Sequence, residues 1–176
     1  MKKINLHKLS LTLLIIAIII CFVYSLIFMT DVNNLYLFNK YLKPEVLLFT
    51  NESLKVNNFI FYTTLGLIIL LISLYLTRYP KKITIYNFIY CLIVSGIILI
   101  FEIIFLIKNI DINNQFNNLD ISWNSQTLSQ EIMGYVESNN NFINIGNYLL
   151  IVSILLVIIS IILNIKLYLI KNKGKV

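Results

Sequence analysis

Glu102 has the greatest chemical potential in this chain, because it is an acid set within an apolar run, residues 88–107. A carboxylate at the centre of a membrane helix costs about 2.5–3.5 kcal/mol on the insertion scale, so acids there are rare and tend to be paired or functional. Three roles fit it: an ordinary acid at the headgroup level, a hydrogen-bonding tie between helices or to a partner's cation, and a proton or ion site. The headgroup role is the plainest, since Lys108 follows six residues later, about 9 Å along a helix. Antiparallel threading of the apolar runs puts Tyr24, Tyr62 and Ser153 near the same outer depth. These four residues form the candidate intramembrane polar site.

Most other chemistry is excluded by inventory. The one histidine, His7, stands in the cytoplasmic leader among lysines, so no histidine–serine or histidine–carboxylate pair can form on the outer side. Cys21 and Cys91 fall at different depths of their runs, too far apart for a disulfide, and neither belongs to a Cys-x-x-Cys pair. Glycine-rich phosphate loops, His-Glu-x-x-His and calcium-loop strings do not occur. No metal site, catalytic residue or cofactor is therefore expected, and the reading leans away from an enzyme.

The elements that must hold Glu102 follow from composition. Apolar residues make up 59% of the 176 and charged residues 12%, against about 45–50% and about 25% in a soluble domain. That excludes a water-facing globule and a disordered chain. Four apolar runs, about 9–29, 59–76, 88–107 and 148–165, match the roughly 20 residues needed to cross a bilayer as a helix. None alternates with period two, so barrel strands are a poor fit. The expected fold class is an all-α integral membrane protein: one domain, residues 1–176, built as an antiparallel bundle of four transmembrane helices.

Charge sets the direction. Ten of the fourteen basic residues precede the first run, join the second to the third, or follow the fourth. Lysine and arginine gather on the cytoplasmic side, so a multi-pass protein of the cell membrane with both termini cytoplasmic is expected. These flanking bases suit anionic headgroups and form no separate face for a nucleic acid. The first run is longer than a signal peptide's core and lacks a small-x-small site, so it reads as a retained anchor.

Two extracytoplasmic loops follow, about 30–58 and 108–147. Each is expected to carry a short amphipathic helix. The first would be capped by Asp31, with Leu35, Phe38, Tyr41 and Leu42 on one face. The second would be capped near Thr127, with Leu128, Ile132, Met133 and Val136. Such helices lie on the headgroup surface or act as a docking lid. Trp123 reads as an interfacial anchor.

Within the runs, small and polar residues recur at three-, four- or seven-residue spacing. Gly66, Ser73, Asn87, Ser95, Ser160 and Asn164 are the candidate helix–helix contacts, because pairing in lipid relies on close approach and hydrogen bonds. The functional expectation is a non-catalytic accessory, assembly or immunity-type protein acting through another membrane protein or through self-association, with the lipid bilayer as its other partner. The alternative is a small transporter or channel, or a lipid-acting enzyme, using Glu102 and the outer tyrosines.

Overall fold

The computed structural model describes residues 6–37, 44–78, 85–119 and 141–173. They form four helices: α1 (Leu6–Leu37), α2 (Pro44–Arg78), α3 (Ile85–Asn118) and α4 (Asn141–Lys173). No strand occurs among the described residues. All four helices are long and apolar enough to cross a membrane. At 32 to 35 residues each spans about 48–53 Å, well beyond a hydrocarbon core of about 30 Å.

The helices run further than hydropathy marks them. α1 continues through Asp31 to Leu37, which corrects the expectation of a fresh helix capped by Asp31. No glycine or proline interrupts that stretch, so nothing breaks the backbone ladder. Pro44 opens α2, at the position where a missing N–H and a fixed φ are best tolerated. α2 thus takes up residues 44–58 and α3 takes up 108–118, both assigned by composition to outward loops. These ends still bury one face: Val46, Phe49, Thr50 and Ser53 on α2, Asn109 and Ile112 on α3. The Phe49 and Phe116 rings meet edge-on at 5.8 Å. The expected helix over 128–136, with Thr127 and Trp123, lies outside the described residues, as do Phe38, Tyr41 and Leu42.

α1 packs chiefly on α4 and α2, and α3 on α4 and α2. The α1–α4 pair shows how sequence spacing becomes packing. Ser10, Ala17 and Tyr24 are seven residues apart, and so are Gly146, Ser153 and Ser160. Ser10 meets Ser160, Ala17 meets Ser153, and Tyr24 meets Gly146, so the two helices run in opposite directions. A seven-residue repeat is what keeps one face of a helix against its neighbour over several turns. The innermost layer is a reciprocal clasp: the two hydroxyls lie 2.9 Å apart, and Ser160 Oγ also lies 2.9 Å from the Ser10 carbonyl. Interhelical hydrogen bonds in membrane proteins average about 0.6 kcal/mol. Ser160→Ala is expected to lower unfolding free energy by about that amount, with Ser10→Ala adding little on top, as a double-mutant cycle in detergent would measure.

Aromatic contacts set the register of the other pairs. Phe22 stacks on Phe61 between α1 and α2, and Phe59 meets Phe105 edge-on between α2 and α3, both at 5.8 Å. At the opposite end Phe88 stacks on Tyr168 at 4.2 Å between α3 and α4.

The outside is far more apolar than a soluble protein's, and a set of polar residues is buried beside the apolar core. Isoleucines and leucines such as Ile69, Leu76, Ile100 and Ile162 cover the outside, while Ser25, Thr64, Ser95 and Glu102 are fully enclosed. Polar side chains turned inward and apolar ones outward suit a solvent of lipid tails.

Candidate functional site

The buried stripe of α3 runs Cys91, Val94, Ser95, Ile98, Glu102, Phe105, Asn109, Ile112. Its spacings of three and four residues keep it on one helical face. Glu102 sits in the middle of that stripe and is 0% exposed. It is enclosed by the chain's own helices, so it is neither an exposed rim acid nor within reach of another protein's cation.

Two helices supply its partners. Ser153 of α4 places Oγ 2.7 Å from Glu102 Oε1 and 3.0 Å from the Ala17 carbonyl of α1. Cys21 Sγ lies 3.7 Å from the same Oε1 and 3.4 Å from Ser153 Oγ. Ser153 has one hydroxyl proton and two acceptors, so it serves one at a time. When that proton goes to Ala17, a protonated Glu102 can donate to Ser153. When it goes to Glu102, the carboxyl accepts. The cluster can therefore hold a proton in two arrangements without moving a helix.

One layer outward, Tyr24 donates its hydroxyl hydrogen to Asn109 Oδ1. Asn109 Nδ2 donates to the Ile143 carbonyl at 3.0 Å and to Asn147 Oδ1 at 2.8 Å. Asn113 Nδ2 donates to Asn144 Oδ1 at 3.0 Å. Tyr24 also stacks on Phe28 at 5.7 Å and lies against Gly146. This layer ties α1, α3 and α4 together at one end.

Four buried polar atoms nearby have no hydrogen-bond partner: Glu102 Oε2, Ser53 Oγ, and both amide atoms of Asn57. Leaving a buried polar group unmatched costs about 1–3 kcal/mol, so their grouping in one half of the molecule calls for a reason.

The expected site residues part company. Glu102 and Ser153 are in contact, and Tyr24 is buried one layer away. Tyr62 is 68% exposed on the outside of α2 and does not join them. At about 100° per residue it stands roughly 200° round from the buried Ile60. Of the expected helix contacts, Ser160 pairs with Ser10, and Ser73 hydrogen-bonds the Tyr90 hydroxyl at 2.8 Å across α2 and α3. Ser95 is enclosed, with its hydroxyl 3.9 Å from Cys91 Sγ on its own helix. Asn164 is buried and Asn87 half-buried. Gly66 is the exception: a Cβ there would meet no described residue within 4 Å, so its side-chain position faces open space.

Asn109, Asn57 and Gly146 are the residues that the sequence reading misses at this site. A signal existed for each of them. Asn109 stands seven residues after Glu102, Gly146 seven before Ser153, and Asn57 seven after Thr50 and seven before Thr64. Lys108 masked the first by marking an apparent end to the apolar run.

A concave feature of about 330 Å³ lies between the far ends of α2 and α3 and is lined by residues including Glu45, Glu52, Phe49 and Leu119. Among the described residues no three His, Cys, Asp or Glu side chains come together to hold a metal ion. Fold and site thus define an all-helical protein with four candidate membrane spans enclosing one carboxyl. No protein-family model, no curated protein and no solved structure matches the chain.

Proposed function

We propose that the chain is a multi-pass protein of the cell membrane, a four-helix antiparallel bundle with both termini cytoplasmic. In this reading it works as a non-catalytic accessory, assembly or immunity-type protein by contacting another membrane protein or a second copy of itself. Gly66 carries the reading. Glycine in a helix interior costs about 1 kcal/mol relative to alanine, and no described residue packs over the position a Cβ would take here. It lies on an outer face between Tyr62 and Ile69, both 68% exposed. A glycine on a lipid-facing surface lets a second helix bring its backbone close, which is how helices associate where the hydrophobic effect does not discriminate.

Gly66→Ile tests this. The bulky side chain has open space within the single chain, so stability is expected to stay within about 0.5 kcal/mol of wild type. Recovery of a cross-linked neighbour from mild detergent is expected to fall sharply. A wild-type chain that runs alone, or a neighbour recovered equally well with Gly66→Ile, overturns the reading. The orientation rests on the ten flanking bases. A reporter fused after Val176 is expected to be reachable only from the cytoplasm.

A further inference from the structure

We propose that Glu102 is the floor of an exchangeable site for a monovalent cation, a proton or an alkali ion, held on its free Oε2 and reached past Ser53 and Asn57 of α2. This does not depend on how the outer face of α2 is used.

The register comes from the Phe59–Phe105 contact. Asn57 stands two residues outward of Phe59 on α2, and Glu102 stands three residues inward of Phe105 on α3. The two are thus offset by about 7–8 Å along the helix axes, and in the proposed site one or two water molecules span that offset. Ser53 lies a further turn outward on the face that carries Asn57. All three side chains are enclosed, and each has an oxygen without a partner: Glu102 Oε2, Asn57 Oδ1 and Ser53 Oγ. Together they make a line of oxygen ligands leading from one end of α2 and α3 to the carboxyl.

The charge balance points the same way. Among the described residues no lysine or arginine is buried. Around Glu102, α1 presents Cys21 and, a turn outward, Tyr24; α4 presents Ser153, which does not titrate. α2 presents Ser53, Asn57, Ile60 and Thr64, none of which titrates either. Cys91 is the other titratable group on this face of α3, about three turns inward. Lys55 and Lys108 are exposed on the outside. Among the described residues an ionised Glu102 therefore meets no buried counter-charge, and one negative charge among hard oxygen ligands matches one small cation of single charge. The Ser153 hydroxyl, able to donate to either Glu102 or Ala17, accommodates both the occupied and the proton-bearing carboxyl.

Infrared difference spectroscopy on the full chain in lipid vesicles tests the site. The reference is Glu102→Gln, or Glu102→Asp, which moves the carboxyl band, where the glutamine variant does not insert. The native protein is expected to show a Glu102-dependent carboxyl band that shifts when water is replaced by heavy water and diminishes when the site loses its proton. Diminution on raising pH at constant salt identifies the proton as occupant. Diminution on adding sodium chloride at constant pH, in place of a bulky organic cation, identifies an alkali ion. Asn57→Leu and Ser53→Ala are expected to slow the heavy-water shift about tenfold, the effect of one lost hydrogen bond of ordinary strength. Tyr62→Phe, on the outer face, leaves it unchanged. A band that shifts only when the protein unfolds, or no Glu102-dependent change with pH or sodium, overturns the proposal and leaves a sealed structural hydrogen bond.

Discussion

Gly146→Ala is expected to cost more stability than almost any other single methyl added to this protein. A Cβ at position 146 lands on the Tyr24 ring. The ring cannot swing aside, because it is fully enclosed, stacked on Phe28, and tied through its hydroxyl to Asn109. Forcing extra volume into a packed interior costs about 1–3 kcal/mol, and displacing Tyr24 would add the loss of its hydrogen bond. Opposing this is the gain of about 1 kcal/mol that alanine has over glycine in a helix. The clash wins, and a net loss of about 1–3 kcal/mol is expected in an unfolding titration in mixed detergent. Gly66→Ala makes the control, since the same substitution on an open face keeps the helix gain without a clash and should be neutral or slightly stabilising. Combining Gly146→Ala with Tyr24→Leu should shrink the penalty by removing the ring. Equal stability for the two alanine variants would show that α1 and α4 do not approach at Gly146.

Asn109→Leu carries the second large effect. Asn109 alone links α3 to Tyr24 of α1 and to Ile143 and Asn147 of α4. At about 0.6 kcal/mol for an average interhelical bond and about 1.7 at most, three such bonds come to about 2–5 kcal/mol. The Tyr24 hydroxyl also loses the acceptor that Asn109 supplies. Asn109→Asp separates the roles: it keeps the acceptor for Tyr24 but loses the two amide donations, and it turns a carboxyl oxygen toward the Ile143 carbonyl and Asn147 Oδ1. The aspartate is expected to be at least as damaging as the leucine. Hydrogen exchange should rise first in the Tyr24 turn of α1 and the Ile143–Asn147 turn of α4. A loss below about 0.5 kcal/mol for Asn109→Leu, the range of an ordinary surface change, would mean this layer does not hold the helices together. Because both substitutions act through Tyr24, their costs should not add.

Both predictions rest on residues that hydropathy passes over. Asn109 follows Lys108 and Gly146 precedes the fourth apolar run, so composition puts them in loops. The helices carry on because the inner face stays buried after the outer face has turned polar, as Phe49 with Phe116 and Ile112 show. Apolar length shows where a helix can meet lipid. It does not show where the helix stops.

From the amino-acid order alone came the four apolar helices and the inventory that leaves Glu102 as the chief chemical group; that Ser10 meets Ser160 and Ala17 meets Ser153 came from the structure. Which polar residues face inward was decided by packing. Tyr24 and Tyr62 look alike in the sequence, yet one is enclosed beside Asn109 and the other stands on the outside of α2. Gly146 and Gly66 differ in the same way. Each helix is apolar on nearly every side, so its pattern has little direction of its own. Lipid tails accept isoleucine as readily as a neighbouring helix does, and the rotation of each helix about its axis is left to shape and hydrogen bonding between neighbours.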